Sequence, residues 1–270
     1  MTDRVAPYGA TTMDRVRQWA NVGALLLTLI VNSLANVLPI GGRTTAQVSD
    51  SFPVYFVPAG YVFAIWGVIY LGLIVYTVYQ ARPSQAADPL QRRIGWLFAA
   101  TCVLNSGWIF LWQYELLPLT LPVMAGLLAL LIVIYVRLDP VRTRPSAAVL
   151  WAILVPFSIY LAWITVATVA NTTDLLYWLG WHEIGRIGRI AAALLLVVAA
   201  GITTLAAVPR RDLAYICVIV WAFAGIAVKQ WAFTWVAAPA LVLAALVVLA
   251  WLAGPWLTRS GGLPLRPKAA

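Results

Sequence analysis

Eight long apolar stretches separated by short polar gaps run the length of the chain. They lie at about Arg17–Leu38, Pro58–Gln80, Ile94–Tyr114, Leu117–Val136, Ala147–Ala170, Ile190–Val208, Leu213–Val228 and Trp235–Leu257. Most reach the roughly 20 apolar residues that a helix needs to cross a hydrocarbon core of about 30 Å. They are too long and too uniformly apolar to be barrel strands. Leu213–Val228 is the shortest and must tilt little or borrow flanking residues. The pattern predicts an all-α, multi-pass integral membrane bundle of about eight transmembrane helices.

The gaps alternate in positive charge. Counting Arg17 with the N-terminal gap, fourteen of the 18 lysines and arginines fall in odd-numbered gaps and four in even-numbered ones. Positive residues concentrate on the cytoplasmic side, so both termini are expected in the cytoplasm and the even gaps outside. Composition agrees, with 63% hydrophobic and 10% charged residues and a mean hydropathy of +0.89. The net charge of +9 belongs mostly to these loops and to attraction for anionic lipid head groups, so nucleic acid is not an expected partner. Arg4, Arg15 and Arg17 precede the first stretch, but its length, its Asn32 and Asn36, and the lack of a convincing small-residue cleavage site mark a retained helix. Cys102 and Cys217 fall in distant stretches and read as small buried residues. The sole histidine, His182, has only Glu183 beside it, so no metal site is expected.

The chain divides by polarity. Residues 1–189 read as a five-helix ligand-binding bundle, and 190–270 as a three-helix membrane extension ending in a cytoplasmic tail. Asn, Gln, Tyr and Trp are scattered through the first five stretches, whereas the sixth and eighth are nearly pure Ala, Leu and Val. Two links on the outer side are long. Pro39–Val57 carries Arg43, Asp50, Phe52, Tyr55 and Phe56, and Asn171–Arg189 carries Tyr177, Trp178 and Trp181. Either could cap a cavity or rest on head groups. Glu115 and Leu116 alone join the third and fourth stretches, which therefore pair antiparallel.

All nine acidic residues sit in gaps or at helix ends. A charge at mid-membrane marks an ion path, and none is expected here. Of the 14 tryptophans, Trp19, Trp96, Trp151, Trp178, Trp181, Trp231, Trp235 and Trp256 lie near stretch ends, as an interfacial belt requires. The informative residues are deeper. Phe63, Trp66 and Tyr70 share one helix face, as do Asn105, Trp108 and Trp112, and as do Tyr160, Trp163, Ala167 and Asn171. Counted inward at about 1.5 Å per residue, Trp66, Trp108 and Trp163 share a layer roughly 9–12 Å beneath the outer surface. Two readings stand: a cleft walled by flat aromatic faces beneath the Pro39–Val57 lid, or simple helix packing in which Asn105 bonds a neighbour.

These segments resemble the translocator-protein family, also called tryptophan-rich sensory proteins or TspO/MBR. The resemblance is carried by Pro58-Ala-Gly-Tyr-Val-Phe-Ala-Ile-Trp66-Gly-Val-Ile-Tyr70, by Leu104-Asn105-Ser-Gly-Trp108 with Trp112, and by Tyr160-Leu161-Ala-Trp163 with Ala167 and Asn171. It covers about Asn21–Asn171 and implies a five-helix bundle binding porphyrins, haem-like tetrapyrroles or sterol-like lipids, with a regulatory role and often dimerisation. The site residues it implies are Tyr61, Phe63, Trp66, Tyr70, Asn105, Trp108, Trp112, Tyr160, Trp163 and Asn171. It also implies a bacterial-type plasma membrane. Tyr61 stands where the family has Trp, and Pro156 comes early. One residue is missing between Phe63 and Trp66, which turns the following side chains by about 100° in a regular helix. The last three stretches lie beyond the basic family pattern.

No cofactor is required and no catalytic residue is assigned, because no acid–base pair is expected in the aromatic layer. The leading expectation is a sensory or translocator-like protein binding a planar hydrophobic ligand. A transporter of neutral or amphipathic solutes, a structural or assembly subunit, and a tetrapyrrole-degrading enzyme remain alternatives. The orientation has a direct test: with Cys102 and Cys217 replaced by Ser, a membrane-impermeant maleimide applied to intact cells will label a Thr44→Cys variant and spare Ser84→Cys. The reverse pattern inverts the topology.

Overall fold

The computed structural model describes residues 9–37, 40–182 and 185–260, with side chains up to residue 254. The tail from residue 261, Glu183 and the Trp256 side chain lie outside the described residues. The helices run in the order α1 (Thr12–Val37), α2 (Thr45–Asp50), a 3₁₀ turn (Gly60–Ala64), α3 (Ile65–Gln80), a second 3₁₀ turn (Pro83–Gln85), α4 (Pro89–Gln113) and α5 (Leu117–Arg137). Then come α6 (Asp139–Arg142), α7 (Ala147–Val149), a π turn (Leu150–Leu154), α8 (Val155–Trp178), α9 (Arg186–Ala207), α10 (Leu213–Lys229) and α11 (Thr234–Ser260). No strand occurs among the described residues. The chain is an all-α polytopic membrane bundle: seven helices are long and apolar enough to span, and α10, with 17 residues, is the shorter eighth.

Local sequence accounts for the helix ends. Thr11 and Asp14 exchange bonds at the start of α1, Thr11 Oγ1 accepting from the Asp14 N–H and Asp14 Oδ2 from the Thr11 N–H. Asp88 caps α4 by accepting from the Leu90 and Gln91 amides, with Pro89 at the first position. Proline has no N–H to give, and the π turn directly before Pro156 is where the helix absorbs that loss. From Ala147 to Trp178 the fifth span then runs 32 residues without a break. The sequence boundary at Ala170 is therefore too early: Asn171–Trp178 is helix, and the outer link begins after it.

The ion pairs sort the two ends of the bundle. Asp14 joins Arg17 and Arg92, Asp139 joins Arg142 and Arg210, and Asp212 joins Arg142. These all lie within or between odd-numbered gaps. Arg43–Glu115 and Lys229–Asp50 link even-numbered ones. The alternation in the sequence thus corresponds to two physical faces, one rich in arginine. Trp19, Trp96, Trp151, Trp178, Trp181, Trp231 and Trp235 are all exposed, as belt residues must be.

All along the bundle, polar side chains knit helix to helix, since hydrocarbon offers them no other partner. Gln18 Nε2 donates to the Gln80 carbonyl at 2.5 Å, Thr28 Oγ1 to that of Cys102 at 3.0 Å, and Gln113 Nε2 to that of Ala35 at 2.8 Å. At the arginine-rich end the buried Asp212 carboxylate accepts from Tyr135 Oη (2.8 Å), Ser158 Oγ (2.5 Å) and Arg142 Nη1 (2.9 Å), and also caps α10 through the Tyr215 amide. The last three helices are packed onto the first five here and at the opposite end. There the Ala59 amide donates to the Gly225 carbonyl at 3.1 Å, and Trp221 Nε1 to that of Val62 at 3.1 Å.

That second contact needs a bare backbone on α10, because a Cβ at Gly225 would overlap Val62 Cγ2 and press on Pro58. Gly225→Ala is expected to lower the thermal midpoint in detergent, at a cost of about 1–3 kcal/mol. Gly201→Ala, with nothing within 4 Å, should be neutral or slightly stabilising, and Val62→Ala should recover part of the Gly225→Ala loss.

Candidate functional site

The opposite end of the bundle holds the aromatic layer. Phe63 closes on the edge of Trp163 with ring centroids 5.8 Å apart, and Trp66 meets Trp163 and Tyr160 edge-on at 6.2 Å each. Trp66 also stacks on Tyr70 at 5.4 Å. These contacts form despite the offset that the resemblance implies between Phe63 and Trp66. The 3₁₀ turn over Gly60–Ala64 sets the heading at which Trp66 enters the layer. A 3₁₀ residue turns about 120° against about 100° in an α-helix, so over these five residues the chain gains on the order of 100° by the time it reaches Trp66.

On the other wall, Asn105 accepts from Asn32 Nδ2 at 2.9 Å, tying α4 to α1. Trp108 Nε1 donates to Asn171 Oδ1 at 3.2 Å, and Asn171 Nδ2 donates to Thr120 Oγ1 at 2.8 Å. This relay joins α4, α8 and α5 and sets the plane of the Trp108 indole. Trp112 stacks on it at 5.1 Å and donates through Nε1 to the Thr45 carbonyl at 3.2 Å, so that α2 lies across the top as a lid. Phe52 follows α2 and packs against Trp112 and Tyr177, both at 6.3 Å. Arg43–Glu115 and Lys229–Asp50 fasten the lid's rim.

Two voids remain under the lid, one on each side of Phe63. The first, about 40 Å³, is lined among others by Thr45, Trp108, Trp112, Trp163, Asn171 and Asp174. The second, about 110 Å³, is lined among others by Asn32, Asn36, Trp66, Tyr70 and Ile109. Four buried polar atoms without a protein hydrogen-bond partner border them: Thr45 Oγ1, Tyr70 Oη, Trp163 Nε1 and Asp174 Oδ1. Native interiors rarely leave such groups unpaired. Flat indole faces with polar atoms at their edges suit a planar ligand. Ligand pockets hold about 300–1,000 Å³, however, so with the lid closed neither void takes a tetrapyrrole or a sterol.

The sequence-predicted residues mostly meet. Phe63, Trp66, Tyr70, Trp108, Trp112, Trp163 and Asn171 line the voids, with Trp108 only 7% and Trp163 2% exposed. Tyr160 is buried behind Trp66, and Asn105 acts through Asn32. Tyr61 does not join them. It is 50% exposed and sits edge-on to Trp221 of α10, 5.5 Å away. Asp174, placed by the sequence in the outer link, is instead 1% exposed within α8 and borders the smaller void. Asp174 continues the stripe of Trp163, Ala167 and Asn171 one turn further, a signal obscured by ending the span at Ala170. Thr45 and Ser49 of the lid were also missed; the Thr44-x-x-Gln47 capping box that starts α2 is visible in the sequence. Among the described residues no group of three or more His, Cys, Asp or Glu converges to hold a metal.

A family model described as TSPO-like protein matches residues 18–253, and so extends through α9, α10 and most of α11. No curated protein and no solved structure matches the chain.

Asn171 is the central link of this wall. Asn171→Ala leaves Trp108 Nε1 buried without its acceptor, and is expected to destabilise by about 1–3 kcal/mol, read as a lower thermal midpoint together with a shift in tryptophan emission. Thr172→Ala, one position away and bonded only to its own helix through the Thr168 carbonyl, should do neither.

Proposed function

We propose, for a chain that belongs to the TSPO-like protein family, that it binds a planar hydrophobic ligand of the tetrapyrrole or sterol-like class between the α2 lid and the aromatic wall. It does so as a sensory or translocator-like protein of a bacterial-type plasma membrane, with both termini cytoplasmic. The observation that carries this reading is the pair of voids flanking Phe63, walled by indole faces and edged by unpaired polar atoms. Packing for its own sake would close such space and satisfy such atoms.

Binding requires the lid to lift and Phe63 to turn, which merges the two voids. The rim makes this affordable in energy terms. Lys229 and Asp50 are 26% and 52% exposed, Arg43 and Glu115 are 39% and 44% exposed, and exposed ion pairs contribute about 0–1 kcal/mol each. A flat ligand would regain more than that by burial, at about 25 cal/mol per Å² of apolar surface. Trp108 and Trp112 then offer a stacking face, with Trp108 held by Asn171 and Trp112 released from the Thr45 carbonyl that it bonds while the lid is closed. Asn36 and Tyr70 offer hydrogen bonds at the far side.

The test is titration of the protein in lipid nanodiscs with octaethylporphyrin, a tetrapyrrole without carboxylates, following tryptophan emission. Saturable quenching is expected in the wild type and in the belt variant Trp235→Leu. It should weaken at least about tenfold when Trp108→Leu and Trp163→Leu are combined, each stacked or edge-on aromatic pair contributing about 0.5–1.5 kcal/mol. Unchanged quenching in the double variant removes the support for this site.

A further inference from the structure

We propose that the void beside α8 selects a planar aromatic ligand bearing a protonated nitrogen, with Asp174 as the counter-charge and the surrounding indoles as the cage. This rests on the binding reading above and adds the polarity of the ligand to it.

Three observations converge on one small volume. Asp174 is 1% exposed, and its Oδ1 has no hydrogen-bond partner. None of the ion pairs among the described residues involves it. Lys229, the cation at this end of α10, is paired with Asp50 at 2.5 Å and reaches Asp174 only as a through-space charge, without a hydrogen bond. The same void is walled by Trp108, Trp112, Trp163 and Phe63. An ionised carboxylate can only accept hydrogen bonds, and a buried acceptor left unmade costs about 1–3 kcal/mol or more. A cation over an indole face is attracted by the ring quadrupole, most strongly where water is excluded. A positively charged N–H group satisfies both demands at once.

The chemistry also excludes. A neutral hydrocarbon would leave Asp174 unpaired, and a ligand edged by carboxylates would set like charge against it. Trp163 Nε1 and Thr45 Oγ1, both buried without partners at the same void, supply a donor and a hydroxyl for a second heteroatom on the ring. The lid's own carboxylate, Asp50, lies at the rim and is half exposed, so it does not duplicate this role. Together these residues define a site for flat organic cations, set beneath a lid and reached from the outer leaflet or the outer aqueous face.

Three probes of one ring size separate the possibilities: 9-aminoacridine, cationic at neutral pH, uncharged anthracene, and anionic anthracene-9-carboxylate. Each is titrated into the full-length protein in phosphatidylcholine nanodiscs, with empty nanodiscs subtracted to remove partitioning. 9-Aminoacridine is expected to bind at least about tenfold more tightly than anthracene, and anthracene-9-carboxylate most weakly. Asp174→Asn should shrink the cation preference to about twofold or less while leaving anthracene affinity unchanged, and Asp174→Glu should keep most of it. Equal wild-type affinities for 9-aminoacridine and anthracene overturn the proposal, as does an undiminished preference in a folded Asp174→Asn. The wild-type ranking decides by itself should Asp174→Asn fail to fold. If no probe binds saturably, the binding reading fails along with this one; if anthracene binds without cation preference, only this one does.

Discussion

The hydrogen bond from the Trp108 indole to Asn171, continued by Asn171 to Thr120, is the constraint on which the upper half of the molecule rests. Inside a bilayer an amide or indole N–H has no solvent to fall back on. A three-helix relay is therefore stiff, since the Trp108 indole and the Asn171 amide would lose their partners by moving. It holds α4, α5 and α8 at fixed relative rotation, and that rotation turns the Trp108–Trp112 stack toward the lid and Trp163 toward Phe63. The Asn32–Asn105 bond repeats the device on the α1 side. Between these two clamps the helices cannot close further, and the voids are what is left.

The last three helices take a share in this arrangement despite their plain composition. α10 receives the Ala59 amide on its Gly225 carbonyl, gives Trp221 to the Val62 carbonyl, and sends Lys229 to the rim. It thus holds the end of the lid and the first turn of the second span from behind. At the other end Asp212 gathers Tyr135, Ser158 and Arg142 from the earlier helices. A helix poor in polar residues can still govern a site by where its backbone sits, as the bare Gly225 illustrates.

Much of the fold was legible because a membrane imposes few rules and strict ones. Apolar run length marked the spans, arginine alternation marked the faces, and helical spacing set Phe63, Trp66 and Tyr70 along one void and Trp108 beside Trp112 along the other. What stayed hidden were features that depend on local pitch and helix length. The fifth span could not be seen to pass Ala170, because Asn171, Thr172, Thr173 and Asp174 resemble a polar loop in composition; only the surrounding fold buries Asn171 and Asp174. Tyr61 was assigned inward by resemblance, yet it lies in the 3₁₀ turn and faces Trp221. The orphaned edges of Thr45, Trp163 and Asp174 are invisible to any one-dimensional pattern, since they exist only where three segments meet.

The tightened turn at Gly60–Ala64 also bears on how chain length can drift. Five residues at a 3₁₀ rise of about 2.0 Å climb about 10 Å, against about 9 Å for six residues at the α rise of about 1.5 Å. A shorter chain wound more tightly and a longer one wound normally therefore deliver Trp66 at nearly the same height and heading. At the mouth of the second span, winding and length are thus interchangeable: five tightly wound residues reach as far round and as far in as six relaxed ones.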